Sequence, residues 1–131
     1  MNPESVIESS IEAAQQNGLL IIANKWGIRL INDAWVCPSG ACCPLGATLL
    51  EHQLVFKQDD PSLFQGGTVG IDLRDVRKNP SYCIIKLLNV DYDWLQAFYL
   101  GIQNMKLGYY TDTKAYDLGL KYYHKYDSII M

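Results

Sequence analysis

Ala97-Phe98-Tyr99-Leu100-Gly101-Ile102 and Ala115-Tyr116-Asp117-Leu118-Gly119-Leu120 follow one pattern: alanine, aromatic, any residue, leucine, glycine, aliphatic. Alanine and glycine four residues apart share one face of a helix and strip the side-chain bulk from it. A glycine inside a helix costs about 1 kcal/mol relative to alanine. Two such glycines therefore predict a close approach by another backbone. The simplest arrangement has the two helices crossing at Gly101 and Gly119, with Ala97 and Ala115 beside the contact and aromatics around it. The same small-residue face would equally serve a contact between two copies of the chain.

The flanks define both helices. Asp91 precedes Trp94, Leu95, Phe98 and Ile102, so it caps a helix with a broad apolar face. Thr111 or Asp112 caps the last helix, with Ala115, Leu118, Gly119 and Tyr122 facing inward. Upstream, Asn79-Pro80 puts an amide oxygen at an N-cap and a residue without an N–H at the first helical position, and introduces a helix through Leu88. Asn2-Pro3 repeats that signal. Ile7, Ile11 and Ala14 then form one stripe, and Gly18 supplies a left-handed stop, predicting a helix over about 3–17. Pro44 opens another over 45–53, with Leu45, Leu49 and Leu50 on one side. A short exposed helix is expected at 72–78, after a loop over 57–70 that carries Asp59-Asp60-Pro61 and Gly66-Gly67.

Between 19 and 37 the chain turns to β-branched and aromatic residues broken by Asn24-Lys25 and Asn32-Asp33, which predicts a small antiparallel meander. Its clearest part is a hairpin of 28–31 with 34–37. Two or three strands cannot stand alone in water, so this ribbon must lie on the helices. The expected fold is α+β, predominantly helical with about five helices, and a small antiparallel β-hairpin or meander near 19–37. With 131 residues a single domain is expected, because two cores would each be too small.

Composition narrows function by class. A hydrophobic share of 49% against 19% charged describes a packed globular chain, and a net charge of −3 gives no general attraction to phosphate. The segment 83–95 is phased like a helix-turn-helix, but its second helix opens Asp91-Tyr92-Asp93-Trp94, placing carboxylates where a DNA reader needs Arg, Lys, Asn or Gln. No nucleic-acid partner is expected. The longest apolar run, Leu19 to Ala23, is far short of the roughly 20 residues that span a bilayer, and Met1-Asn2-Pro3-Glu4 lacks the basic start of a signal peptide. Neither membrane nor export is expected. A cytoplasmic location follows, with reduced cysteines.

The candidates for chemistry are few. Cys37-Pro38-Ser39-Gly40-Ala41-Cys42-Cys43-Pro44 admits three readings. The cysteines are small core residues. Or Cys42 and Cys43, at a helix N-terminus, have a lowered thiol pKa and act as redox groups. Or Cys37, Cys42 and Cys43 hold a metal, completed by Cys83 or His52. The spacing C-x4-C-C lacks the paired C-x-x-C of common zinc sites, which favours packing. Nine tyrosines, several in Tyr109-Tyr110 and 121–126, offer a stacking surface or serve as the rim of a small core. His52 and His124 each fall near a helix C-terminus, where the dipole favours them, with no nucleophile at a recognised spacing. Asp91-x-Asp93 is explained by capping. No cofactor and no catalytic constellation emerge.

Cys43-Pro44-Leu45-Gly46-Ala47-Thr48-Leu49-Leu50, Asp93-Trp94-Leu95-Gln96-Ala97-Phe98-Tyr99-Leu100-Gly101 and Ala115-Tyr116-Asp117-Leu118-Gly119 together resemble a family of small uncharacterised bacterial proteins. That family has a Cys-Pro-Leu-Gly-Ala-x-Leu-Leu segment, a Trp-x-x-Gly-Phe helix and a final Ala-Tyr-x-Leu-Gly helix; Ala97 replaces its more usual glycine. The resemblance covers about half of the chain in short blocks. It implies one domain and this order of helices, and it carries no assigned activity. The functional expectation is a small adaptor or regulatory protein acting through protein contact or homo-oligomerisation. The alternative is a thiol-redox or metal-binding protein using the Cys37/Cys42/Cys43 loop.

Overall fold

The computed structural model describes residues 2–23, 29–31, 34–37, 40–51, 56–57 and 80–126; for the strands at 29–37 and 56–57 it describes the backbone pairing alone. Among these the chain is mainly helical, with five helices: α1 (Pro3–Gln16), α2 (Pro44–Glu51), α3 (Pro80–Leu88), α4 (Tyr92–Ile102) and α5 (Thr113–Tyr126). The loop expected over 58–70, the short helix expected at 72–78 and the turns at 24–25 and 32–33 lie outside the described residues. So do His52 and the side chain of Cys37.

Local chemistry explains the helix ends. The Asn2 side chain accepts the Ser5 N–H at 2.8 Å and Pro3 occupies the first turn, so two of the orphan donors of α1 need no water. Gly18, at φ +84°, closes α1 in a Schellman motif, with Gly18 N–H donating to Gln15 O and Leu19 N–H to Ala14 O. Asn89 and Asn104, both at φ 56°, close α3 and α4 by the same bonding pattern. Asparagine does glycine's work at these two positions because its short polar side chain tolerates the left-handed region.

The strands form two small sheets. Leu20–Ile21 (β1) pairs parallel with Ala41–Cys42 (β4), Leu20 opposite Ala41 and Ile21 opposite Cys42. This corrects the antiparallel meander expected over 19–37, because β1 takes its partner from beyond that segment. Ile21, Ala41 and Cys42 are all buried, and β1 leaves α1 where β4 enters α2. Burial of these side chains between two helices outweighs the local turn signals that suggested a meander. In the second sheet Arg29–Ile31 (β2) runs antiparallel to Ala34–Cys37 (β3), Arg29 opposite Val36, and Phe56–Lys57 (β5) joins β3 in parallel. The result is a mixed sheet, and Lys57 of β5 falls where the loop over 57–70 was expected to begin.

The core runs through every described helix. Ile7, Ile11 and Ala14 of α1 meet α2, in which residues 44 to 50 are all buried. A helix that is buried all round must be apolar all round, and the sequence Pro-Leu-Gly-Ala-Thr-Leu-Leu meets that demand: up to the half-buried Glu51, the stripe of Leu45, Leu49 and Leu50 is buried and so are the residues on the other faces of the helix. Its one hydroxyl, Thr48, turns back to donate to the Pro44 carbonyl at 2.9 Å. The Ala23 N–H donates to the Tyr126 carbonyl at 2.8 Å, tying the end of α5 to the chain beyond β1.

Candidate interaction site

Among the described residues, the closest backbone approach lies where α4 crosses α5. A Cβ on Gly101 would be driven into the Tyr116 carbonyl oxygen and stand 3.0 Å from the Leu120 nitrogen; one on Gly119 would meet the Phe98 carbonyl oxygen and stand 2.7 Å from the Ile102 nitrogen. The neighbours are backbone, which cannot step aside. α4 and α5 therefore cross glycine against glycine. Ala97 and Ala115 are fully buried beside the crossing. Around it Phe98 stacks on Trp94 at 5.2 Å and meets the Tyr122 ring edge-on at 6.0 Å. Because these small-residue faces cover each other within one chain, self-association would have to use another surface.

The two helices also begin side by side. Asp91 caps α4, its Oδ1 accepting the Trp94 N–H at 2.8 Å, and Asp112 caps α5, its Oδ1 accepting the Ala115 N–H at 3.0 Å. Asp93 joins these two starts. Its carboxylate accepts the Thr111 N–H on both oxygens at 3.1 Å, the Thr111 hydroxyl at 3.1 Å and the Asp112 N–H at 2.8 Å. Two adjacent helix N-termini bring two positive dipole ends together, and three carboxylates offset them. Asp91-x-Asp93 is thus half cap and half cross-link. The cross-linking half escapes sequence reading, because its partners lie 18 and 19 residues along the chain.

The loop 103–112 spans from the end of α4 back to this corner. Its root is the Schellman bond from Met105 N–H to Leu100 O at 2.8 Å, reinforced by the Tyr116 hydroxyl, which donates to the Met105 carbonyl at 2.6 Å. Its far end is held by Asp93. Between these points Tyr109 stands 84% exposed, stacked on Tyr110 with ring centroids 4.7 Å apart, and Met105 is 51% exposed. Tyr92, 60% exposed, adds its hydroxyl to the same group. Hydrogen bonding to the Tyr109 hydroxyl, more than partial burial or the Tyr92 phenol, pushes the Tyr110 phenol up to about 12. The exposed Tyr92 and Tyr109 and the half-buried Tyr110 form a shelf of aromatic surface.

The cysteines occupy the opposite situation. Cys42, Cys43 and Cys83 are in no disulfide and all buried. The Cys43 sulfur accepts the Gly46 N–H at 3.4 Å, at the start of α2. The helix N-terminus was expected to lower this thiol; instead burial pushes it up to about 11, outweighing the backbone N–H groups of Gly46, Leu45 and Cys43 itself. The dipole acts in the expected direction, but desolvation of the thiolate is the larger effect. Among the described residues no group of three or more His, Cys, Asp or Glu side chains is arranged to hold a metal.

A groove of about 640 Å³ lies along α1 and the end of α5, lined by Glu4, Glu8, Glu12, Gln15, Lys125 and Tyr126 among others. Its charges are largely spent within the fold. Lys121 bridges Glu4 at 2.9 Å and Glu8 at 3.3 Å, and the Tyr122 hydroxyl donates to Glu8 at 3.2 Å. His124 sits with Lys125 in the last turn of α5, where a cation suits the dipole. No described helix is long and apolar enough to cross a membrane. No protein-family model, curated protein or solved structure matches the chain.

Proposed function

We propose that this is a small adaptor or regulatory protein that acts through protein contact, with the shelf of Tyr92, Tyr109 and Tyr110 as its contact surface. One observation carries the reading: Tyr109, the most exposed aromatic ring among the described residues, sits on a loop anchored at both ends. Tyrosine supplies a large, rigid contact area with only two side-chain torsions to order, and it is enriched among residues that dominate binding energy. The nearby carboxylates of Asp93 and Asp112 are engaged by backbone N–H groups, so the shelf is aromatic surface rather than a cation site. The resemblance to an uncharacterised bacterial family is compatible with this and adds no activity to it.

The test is comparative. Wild type and a Tyr92→Ala/Tyr109→Ala double variant are run through light scattering at high concentration and through affinity capture from a source extract. A self-association or captured protein present with wild type and lost with the variant, at unchanged circular dichroism, supports the reading. Identical mass and identical captured proteins for both chains would sink it.

A further inference from the structure

The shelf stands on loop 103–112, and we infer that this is a preformed recognition loop held in its binding shape by a two-point latch, Asp93 at its far end and Tyr116 at its root. The inference rests on the shelf being the contact surface. Neither latch residue belongs to the aromatic platform; both are positioning residues. Asp93 uses both carboxylate oxygens on Thr111 and Asp112, and Tyr116 places its hydroxyl 2.6 Å from the Met105 carbonyl. The two residues project from α4 and α5, which the Gly101 and Gly119 crossing locks together, so the latch points cannot drift apart. Asn104 at φ 56° and Gly108 at φ +68° give the turns that bring the loop back between them.

The latch has an energetic purpose. Ordering one residue's backbone costs about 1–2 kcal/mol, so a loop of this length left free would lose much of its binding energy to ordering. A loop ordered in advance presents the Tyr109 and Tyr110 stack without that loss.

The latch is testable in the free protein by amide hydrogen exchange with near-ultraviolet circular dichroism. Hydrogen bonds to a carboxylate are strong enough that Asp93→Ala should speed exchange at the Thr111 and Asp112 amides by about tenfold or more. The dichroic signal of the stacked tyrosines should fall with it, while amides within α4 and α5 keep their protection. Asp93→Asn, which retains one acceptor oxygen, should recover part of both readouts. Unchanged exchange at Thr111 and Asp112, or a rise spread evenly over α4 and α5, would overturn the latch. Should Asp93→Ala fail to fold, Tyr116→Phe removes a single oxygen and should raise exchange at the Met105 amide, which donates to the Leu100 carbonyl at the loop root; an unchanged rate there overturns the latch equally. Neither measurement needs a partner, so failure of the latch is distinguishable from failure of the contact surface, which only the capture experiment reads.

Discussion

The helix starts of this protein solve one problem in two opposite ways. At α2 the free N–H of Gly46 is met by the Cys43 sulfur in a buried apolar setting; at α4 and α5 the N–H groups of Trp94 and Ala115 are met by the carboxylates of the exposed Asp91 and the half-buried Asp112. Every α-helix offers the same unpaired donors and the same positive end. Solvent decides what can answer them. A dipole end is worth about 0.3–1 kcal/mol to an exposed anion, whereas taking an anion out of water costs several times more. The rise of the Cys43 thiol from 9.0 to about 11 shows which effect wins, at about 3 kcal/mol against the thiolate. The buried start therefore carries a neutral cap and packs, while the exposed start carries charge and supports the tyrosine shelf.

The largest effect on this contrast should come from the crossing that sets the two exposed starts side by side. Gly119→Ala would press a methyl group against the Phe98 and Ile102 backbone, and it should cost about 3 kcal/mol or more in urea unfolding, at or beyond the upper end of overpacking penalties. A loss well below that would mean the helices can slide apart without penalty. Next, alkylation of Cys43 followed by mass spectrometry should run about 100-fold slower than a model thiol near neutral pH, with its rise postponed to around pH 11. A thiol that reacts at the model rate in the folded protein would erase the distinction between the two starts.

Asp112→Ala should cost about 1 kcal/mol, the usual loss for an N-cap, and Asp112→Asn much less, because an amide oxygen can take the same Ala115 N–H. Equal losses for both would show that charge rather than capping matters there. The smallest effect is confined to strongly alkaline solution. Burial, and then the Glu8 carboxylate, raises the Tyr122 phenol above its ordinary value of 10.0. Above that pH the unfolded chain releases a proton that the folded chain keeps, so the contribution to stability is full below about pH 10 and declines as pH rises further. Tyr122→Phe should flatten that decline in denaturation measured across alkaline pH. An unchanged slope would assign it to other groups.

Much of the helical frame was legible because its signals are short. Asn2, Asp91 and Asp112 each lie within three residues of the N–H they satisfy, and Gly18 sits beside the carbonyls its turn serves. The two Ala-x3-Gly pairs marked one face on each of two helices before any packing was known. Asn89 and Asn104 were missed as helix stops because asparagine in the left-handed region follows from the neighbouring chain path as much as from its own preference. Asp93 was legible as an acid in a first turn. Its grip on Thr111 and Asp112 was hidden by the loop between them.

Capping and helical periodicity act over three or four residues, so the starts of the described helices and their bulk-free faces follow from local sequence. The parallel pairing of Leu20–Ile21 with Ala41–Cys42, the neutral Cys43 thiol and the grip of Asp93 on a tyrosine-bearing loop follow from packing. These three depend on burial and on contacts between segments distant in the chain. Their energies come from water excluded and partners met, which no local window of residues specifies.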